Sequence, residues 1–202
     1  MRKIILASLL LSLGACGTTQ HPMPYSPPAG VAANRPPGPV VQVSQVQNTR
    51  RAGQDSERWV GTIRGGYGNP LKHLEADRPV NEVVRIALDD ALAARGWLTR
   101  QDPRVEVLVT IRQFDSNRYV RMEATADLEI TLRERGSGRI LWQGTEKVYN
   151  ISGSILALDN GILASPDDLH ALMLRTMNEA IDKLLDRPDF AAALLQAARP
   201  SA

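Results

Sequence analysis

The chain has 202 residues, 43% of them hydrophobic and 23% charged, with a single cysteine at position 16. This length suits one folded domain of ordinary size, and a lone cysteine rules out an internal disulfide framework. Lysine and arginine number 24 against 22 acidic residues, which is far from the basic surplus typical of nucleic-acid-binding proteins.

Residues 1–15 have the pattern of an export signal peptide. Arg2 and Lys3 form a short positive region, and residues 4–15 carry no charge. That apolar run is shorter than the roughly 18–20 residues needed to span a bilayer. A buried helix is the alternative, but it would carry an all-apolar surface with no caps. Cleavage would leave 22 basic and 22 acidic residues, so the net +2 belongs to the signal and no nucleic-acid partner is predicted.

Cys16 follows Leu13, Gly14 and Ala15. This arrangement resembles a bacterial lipobox, in which the cysteine is acylated and becomes the new N-terminus. An unpaired cysteine in an exported protein needs an explanation, because exported compartments are oxidising and a lipid thioether removes the thiol. A structural free cysteine is the alternative, although residues 17–19 offer no core for it. Gly17, rather than Asp, follows Cys16, which resembles the sorting pattern of outer-membrane lipoproteins. We predict a lipid anchor at Cys16 on the periplasmic side of the outer membrane.

Residues 16–39 are predicted to form the lipidated N-terminus and a proline-rich linker. Proline lacks a backbone donor and stiffens the chain towards polyproline II. About twenty such residues would reach roughly 60 Å at about 3.1 Å each. The pattern therefore predicts a semi-rigid tether that holds a domain away from the membrane, or an inert disordered spacer. Seven prolines lie in this segment: Pro22, Pro24, Pro27, Pro28, Pro36, Pro37 and Pro39.

Residues 40–198 are predicted to form a single domain that begins with two strands. The first starts at Val41, where valines alternate with polar residues, and a shorter one covers 59–64. The GGYGNP segment at 65–70 predicts a turn, because glycine accepts positive φ and proline ends a ladder. Residues 77–95 have the three–four apolar spacing of an amphipathic helix that ends at Gly96.

Three strands and a second long helix follow. Alternation predicts strands from Val105 and over 124–132, and a GSG turn at 136–138 leads into a partner strand. Ser165 caps the last long helix, and residues 190–198 suit a short final helix. One sheet face is thus polar and two helices can cover the other. The predicted class is α+β, a two-layer sandwich of a mainly antiparallel sheet with two amphipathic helices on one face.

Groups that carry catalysis are sparse. The three histidines, His21, His73 and His170, have no metal-ligand spacing, and His170 is expected on a solvated helix flank. No G-x-S-x-G or S-x-x-K nucleophile motif is present. The IRGGYGNP segment departs from the phosphate-binding pattern and is interpreted as a surface turn, with a phosphate cradle as the alternative. We therefore expect no enzyme activity, no metal and no cofactor.

Four features carry a family resemblance: Cys16 in its lipobox, VGTIRGGYGNPL at 60–71, LAARGW at 92–97 and LLDRPDF at 184–190. With these, the chain resembles the YajG-like lipoproteins of Gram-negative bacteria over most of its mature length. The resemblance implies an outer-membrane lipoprotein with a small α+β domain. The family has no established activity, so the resemblance implies no functional residue besides Cys16.

Two classes of function remain open. The first is a lipid-anchored module that assists an envelope complex through protein contacts. The second is a binding protein for a small apolar or lipid ligand in a cavity between sheet and helices, which the small inward residues Ala124 and Ala126 leave room for.

The segment 151–165 carries apolar residues in a predicted loop. Loops normally lie on the surface, so these side chains either fold back over the core or stay exposed. In the second case Leu156 and Leu158 are candidate contacts for an envelope protein partner, because contiguous exposed apolar surface usually marks an interaction site.

Overall fold

The computed structural model describes residues 18–31, 35–38, 40–51, 56–152 and 165–198. These residues form seven strands and three helices. In chain order they are β1 Thr19–His21, β2 Val41–Asn48, β3 Trp59–Arg64, β4 Pro70–Ala76, α1 Val80–Ala94, β5 Val105–Arg118, β6 Met122–Glu134, β7 Ile140–Ser152, α2 Pro166–Leu185 and α3 Pro188–Ala198.

The strands form one mixed sheet in the order β1-β4-β3-β5-β6-β7, and β2 pairs with β5 beside β3. The β3–β4, β5–β6 and β6–β7 pairs are antiparallel. The β1–β4, β2–β5 and β3–β5 pairs are parallel. Along the same edge, the long β5 strand therefore pairs with β2 over its first half and with β3 near its end.

The helices cover one face of this sheet, which confirms the predicted α+β sandwich. Inward residues of β6 alternate along the strand, and Leu128 among them is fully buried. Leu172 of α2 is 4% exposed and lies in the same apolar cluster. Ser165 caps α2 as predicted, because its side chain accepts a hydrogen bond from the Asp167 amide. Gly96 ends α1 with φ of 73°.

The other sheet face is polar, as the alternation predicts. Arg133 on β6 lies directly across from Glu106 on β5 and binds its carboxylate at 2.6 Å. Arg112, at the irregularity of β5 between Ile111 and Gln113, also forms an ion pair with Glu129 of β6. Opposite charges in cross-strand positions stabilise a sheet without requiring burial, so this face needs no second layer.

The predicted linker differs most from the structure. Residues 18–31, which we call the strap, begin as strand β1 and continue along the helical layer. Met23 is 6% exposed and Tyr25 is 7% exposed, so both belong to the core. Because these two side chains and the β1 ladder hold it, the strap lies against the domain and is not extended away from it.

Strand β4 begins at Pro70, the last residue of the segment predicted as a turn. Its first four residues are all exposed, and only Leu74 and Ala76 are buried. The apolar–polar alternation is therefore weak, and its ladder with β3 is what defines it as a strand.

Candidate functional site

The predicted site residues lie outside the described residues. Cys16 belongs to the segment before residue 18, and Leu156 and Leu158 fall between Ser152 and Ser165. The structure does describe the chain that follows Cys16. Strand β1 begins at Thr19, three residues after that cysteine, so the region that receives the strap is the candidate functional site.

Strand β1 adds to the edge of the sheet. Thr19, Gln20 and His21 pair in parallel register with Leu74, Glu75 and Ala76 of β4. The strap then turns onto the helices, where the Pro22 carbonyl accepts a hydrogen bond from Nε2 of His170 at 2.8 Å. The sheet and the helical layer thus both hold the first described residues.

Two histidines far apart in sequence meet at this point. The rings of His21 and His170 stack with centroids 4.7 Å apart, and Asp167 lies 3.7 Å from Nδ1 of His21. Burial lowers the pKa of His170 below its ordinary value, and the neighbouring His21 lowers it further. His170, expected on a solvated helix flank, therefore lies half-buried against the strap.

Farther along, a network around the buried Arg95, which we call the clamp, joins the strap to both long helices. It consists of Tyr25, Arg35, Arg95, Asp182 and Asp186. The guanidinium of Arg95 is fully buried and donates to Asp186 at 3.0 and 3.1 Å and to Asp182 at 2.9 Å. Arg35 donates to the same Asp186 carboxylate at 2.9 Å.

Tyr25 connects the strap to this ion pair. Its hydroxyl donates to Asp182 at 2.6 Å and accepts from Arg95 at 3.2 Å. Burial raises the pKa of Tyr25 to about 12, and the hydrogen bond to Asp182 acts in the same direction. The tyrosine is therefore a neutral hydrogen-bonding link at every physiological pH.

The charges of the clamp stabilise each other. Burial by itself would lower the pKa of Arg95, but its hydrogen bonds to Asp186, Tyr25 and Asp182 raise it above the usual value. Burial would likewise raise the pKa of Asp186, yet Arg95 and Arg35 hold it below its usual range. All the ionised groups are paired, which is the condition under which a buried charge is tolerated.

Two segments of the family resemblance meet in the clamp. LAARGW contributes Arg95, and LLDRPDF contributes Asp186. The aromatic residues of the same segments also lie close together, with the rings of Trp97 and Phe190 at 5.7 Å. The sequence pattern of these segments predicts helix ends and no more. Nothing in a helix-end pattern indicates which distant side chain an arginine will contact.

A second buried arginine serves the backbone. Arg50 is 8% exposed and donates to the carbonyl oxygens of Trp59 and Phe114, both at 2.8 Å. It lines an open depression of about 460 Å³ together with Arg51, Arg112 and Asp115. Burial lowers the pKa of Arg50 to about 10. Its donors are engaged with main-chain oxygens, so we assign it a structural role.

Within the described part of the chain, no three His, Cys, Asp or Glu side chains are grouped as metal ligands would be. None of the helices described above has the length and apolar character needed to cross a bilayer.

No family model matches the chain, and no curated protein matches it. Several solved structures are similar. Protein XCC0632 from Xanthomonas campestris, which carries the family name DUF330, is 15% identical over 86% of this chain and 96% of its own, with a TM-score of 0.58. An uncharacterized protein is 11% identical over 83% of this chain and 95% of its own, with a TM-score of 0.50. These two likenesses show a shared fold.

A Caulobacter crescentus CB15 protein described as a lipoprotein is 22% identical over 56% of this chain and 82% of its own. Its TM-score of 0.40 is too low to carry an argument. The resemblance to the YajG-like lipoproteins stays a prediction, because the structural likeness is to the fold alone.

Proposed function

We propose that the chain is an envelope lipoprotein, anchored through an acyl group on Cys16 to the periplasmic side of the outer membrane. Its domain acts as a protein-interaction or assembly-accessory module and not as an enzyme. The observation that carries this proposal is the strap. A cysteine with a signal-like run before it is followed, after three residues, by a chain segment that the sheet and the clamp hold firmly.

The strap gives the anchor a mechanical role. A lipid attached to a free tether would only raise the local concentration of the domain near the membrane. A lipid attached three residues before a fixed edge strand also restricts the distance and orientation of the domain. A module that must meet envelope partners at a defined height benefits from that restriction, since restricted geometry lowers the entropic cost of association.

The absence of an enzymatic role is part of the proposal. In the clamp, Arg95, Asp182 and Tyr25 are bonded to each other and hold elements together. Structural ion pairs also perturb pKa values, so the pKa shifts of these groups do not require a catalytic role.

The alternative of an apolar ligand between sheet and helices gains no support from the inward alanines. Ala124 and Ala126 of β6 are at most 1% exposed, and Leu128 beside them is fully buried. A void large enough for a water molecule would leave accessible surface on these side chains. The described part of this core is therefore closely filled around them.

Replacement of Cys16 tests the anchor. We expect Cys16→Ala to leave the protein in the soluble fraction or stalled as precursor, because acylation and processing both require the thiol. Membrane fractionation with mass analysis of the N-terminal peptide measures the result. Thr18→Ala is the matched control and should fractionate like the unchanged protein. Normal processing and membrane association of Cys16→Ala would refute the lipoprotein proposal.

A double substitution tests the proposed partner contact at Leu156 and Leu158. If these residues dock a partner, Leu156→Ser with Leu158→Ser should leave the melt nearly unchanged and abolish co-purification of the partner. If they cover the core, the same variant should unfold at a lower temperature than the unchanged protein. Ile140→Ser, at a residue 60% exposed, is the control for apolar loss at the surface. A normal melt with unchanged co-purification would remove both interpretations.

A further inference from the structure

One end of the sheet, which we call the tip, collects five strand ends. Strands β3 and β5 finish there at Arg64 and Arg118, and β4 and β6 begin there at Pro70 and Met122. Strand β7 ends there at Ser152, opposite Met122. The tip comprises residues 64–72, 117–123 and 149–152. The β6–β7 hairpin at 135–139 lies at the opposite end, about 40 Å away along the 13 residues of β6 at roughly 3.3 Å per residue.

The tip carries most of the exposed large apolar side chains. Of the eight such residues on the described surface, six belong to it. Tyr67 is completely exposed, at 101%, on the β3–β4 loop. Isolated exposed apolar residues are ordinary, but a concentration at one end marks a contact surface. The six are Tyr67, Leu71, Tyr119, Val120, Tyr149 and Ile151.

Hydrogen bonds hold the two tip loops in place. The Tyr119 hydroxyl donates to the carbonyl oxygen of Gly66 at 3.1 Å, which joins the β5–β6 turn to the β3–β4 loop. Arg64 donates to the Gly68 carbonyl at 3.1 Å and to the Asn117 side chain at 3.0 Å. The exposed side chains are therefore presented on a fixed backbone.

The charge of the tip is positive. Its residues include four cationic side chains and one carboxylate, that of Glu123, which Arg121 binds at 2.7 Å. The chain as a whole is nearly neutral, so this excess is local. Tyrosine rings mixed with lysine and arginine are the composition of surfaces that lie in the headgroup region of a bilayer. The accessible cations are Arg64, Lys72 and Arg121, whereas Arg118 is buried at 7% exposed.

The strap enters the sheet from the tip side. Strand β1 runs parallel to β4, whose first residue, Pro70, lies at the tip. Thr19 pairs with Leu74. Across the sheet, Leu74 pairs with Gly61, Gly61 with Ser116, and Ser116 with Ala124 of β6. Ala124 is two residues from Met122, the end of β6 at the tip. A lipid attached three residues before Thr19 is tied to it by a chain segment that spans at most about 11 Å.

We propose that the tip rests on the membrane surface, with its tyrosine and apolar side chains in the headgroup layer and Arg64, Lys72 and Arg121 against anionic lipid headgroups. The proposal rests on the proposed acylation of Cys16, which puts the anchor at the tip end of the domain. An acyl chain attached three residues before Thr19 holds the tip half of the domain near the bilayer. The occupant is therefore a lipid surface, and the β6–β7 hairpin points away from it.

Fluorescence quenching in vesicles tests the orientation. The full chain, expressed and purified in acylated form, is labelled with an environment-sensitive dye at Gly66→Cys or at Gly136→Cys. A Cβ at either glycine meets nothing within 4 Å, so the two positions form a matched pair at opposite ends. The vesicles contain phosphatidylethanolamine and phosphatidylglycerol with a nitroxide quencher near the headgroup.

We expect the dye at position 66 to be quenched several-fold more strongly than the dye at position 136. Adding Tyr67→Ser with Val120→Ser should reduce that quenching, whereas adding Ile140→Ser should not. Equal quenching at the two positions, or quenching unaffected by the tip substitutions, would overturn the proposed contact.

Mass analysis of the N-terminal peptide of the same sample separates the two proposals. An acylated Cys16 with an unquenched dye at position 66 would refute the membrane contact alone. A processed protein without acylation would refute the lipoprotein proposal and the orientation that depends on it.

Discussion

Arg95 shows how one residue can join distant parts of the chain. Its side chain is fully buried, yet each of its nitrogen atoms has an oxygen partner in the strap or in the helices. Removing one member of such a network lowers the free energy of unfolding by more than the intact pair contributes to it, because the remaining polar groups lose their partners. The free energy of unfolding should therefore respond strongly to this position.

We expect Arg95→Met to lower the free energy of unfolding by about 2–3 kcal/mol, below the range for fully buried pairs because the Asp186 carboxylate is partly solvated. Denaturant melts measure the change. Arg78→Met is the control, since its guanidinium is 42% exposed beside Asp77, and it should leave the denaturant midpoint nearly unchanged. A wild-type melt for Arg95→Met would mean that the clamp contributes nothing.

His170 should make stability depend on pH. Burial lowers the pKa of His170 in the folded protein, so the unfolded chain binds a proton first as the pH falls. The stabilising contribution is complete above the ordinary value of 6.5 and is lost as the pH falls from there through the folded-state pKa. Denaturant midpoints measured across this window should decline towards low pH.

The substitution His170→Gln keeps an amide donor for the Pro22 carbonyl but does not titrate. Its midpoint should fall less steeply than that of the unchanged protein over the same window. Replacing His73, an exposed residue of β4, with Gln is the control for the loss of an imidazole at the surface. An unchanged slope in His170→Gln would locate the pH dependence elsewhere.

At the scale of the elements, close approach of β3 and β5 explains a glycine of the VGTIRGGYGNPL segment. A Cβ on Gly61 would lie 2.8 Å from the carbonyl oxygen of Ser116 and still closer to its Oγ. The Ser116 hydroxyl donates to the Val60 carbonyl beside it. The parallel pairing of these strands therefore leaves no room for a side chain at position 61.

We expect Gly61→Ala to lower stability by about 1–3 kcal/mol, the usual range for overpacking. Gly66→Ala is the matched control in the same segment, because an added Cβ there meets nothing within 4 Å. It should change stability by less than about 0.5 kcal/mol. Thermal or denaturant melts compare the two, and equal midpoints would contradict the close β3–β5 contact.

At the scale of the whole molecule, the strap makes the N-terminal segment part of the domain. Met23 is in the core cluster, whereas the adjacent Pro24 is exposed. We expect Met23→Ala to lower the free energy of unfolding by about 2–3 kcal/mol, the lower part of the range for buried methionine. Pro24→Ala should be close to neutral. If both variants melt like the unchanged protein, the segment is a tether after all.

The sandwich could be predicted because its signals are local. Alternation in β6 and three–four spacing in α2 determine which side chains face inward, since water excludes apolar surface from one face of each element. The buried Leu128 and the nearly buried Leu172 follow from that rule. The cap at Ser165 and the helix end at Gly96 were also readable, because capping involves residues that are neighbours in sequence.

Strand β1 and the strap could not be predicted in this way. Three residues of parallel pairing carry no periodicity, and the seven prolines of the surrounding segment favour an extended spacer when considered alone. Met23 and Tyr25 become core residues only because the two helices leave a place for them. The clamp likewise depends on a contact between residues 157 positions apart, Tyr25 and Asp182.

By itself the sequence predicts an export signal, and it determined the single cysteine and the two-layer fold. Each of these depends on composition or on spacing within one element. Tertiary structure alone decided that the strap lies on the domain, that His21 meets His170, and that five strand ends form one positive, tyrosine-bearing tip. The reason is physical: the order and direction of strands in a sheet are chosen by long-range packing, and that choice determines which distant residues share a surface.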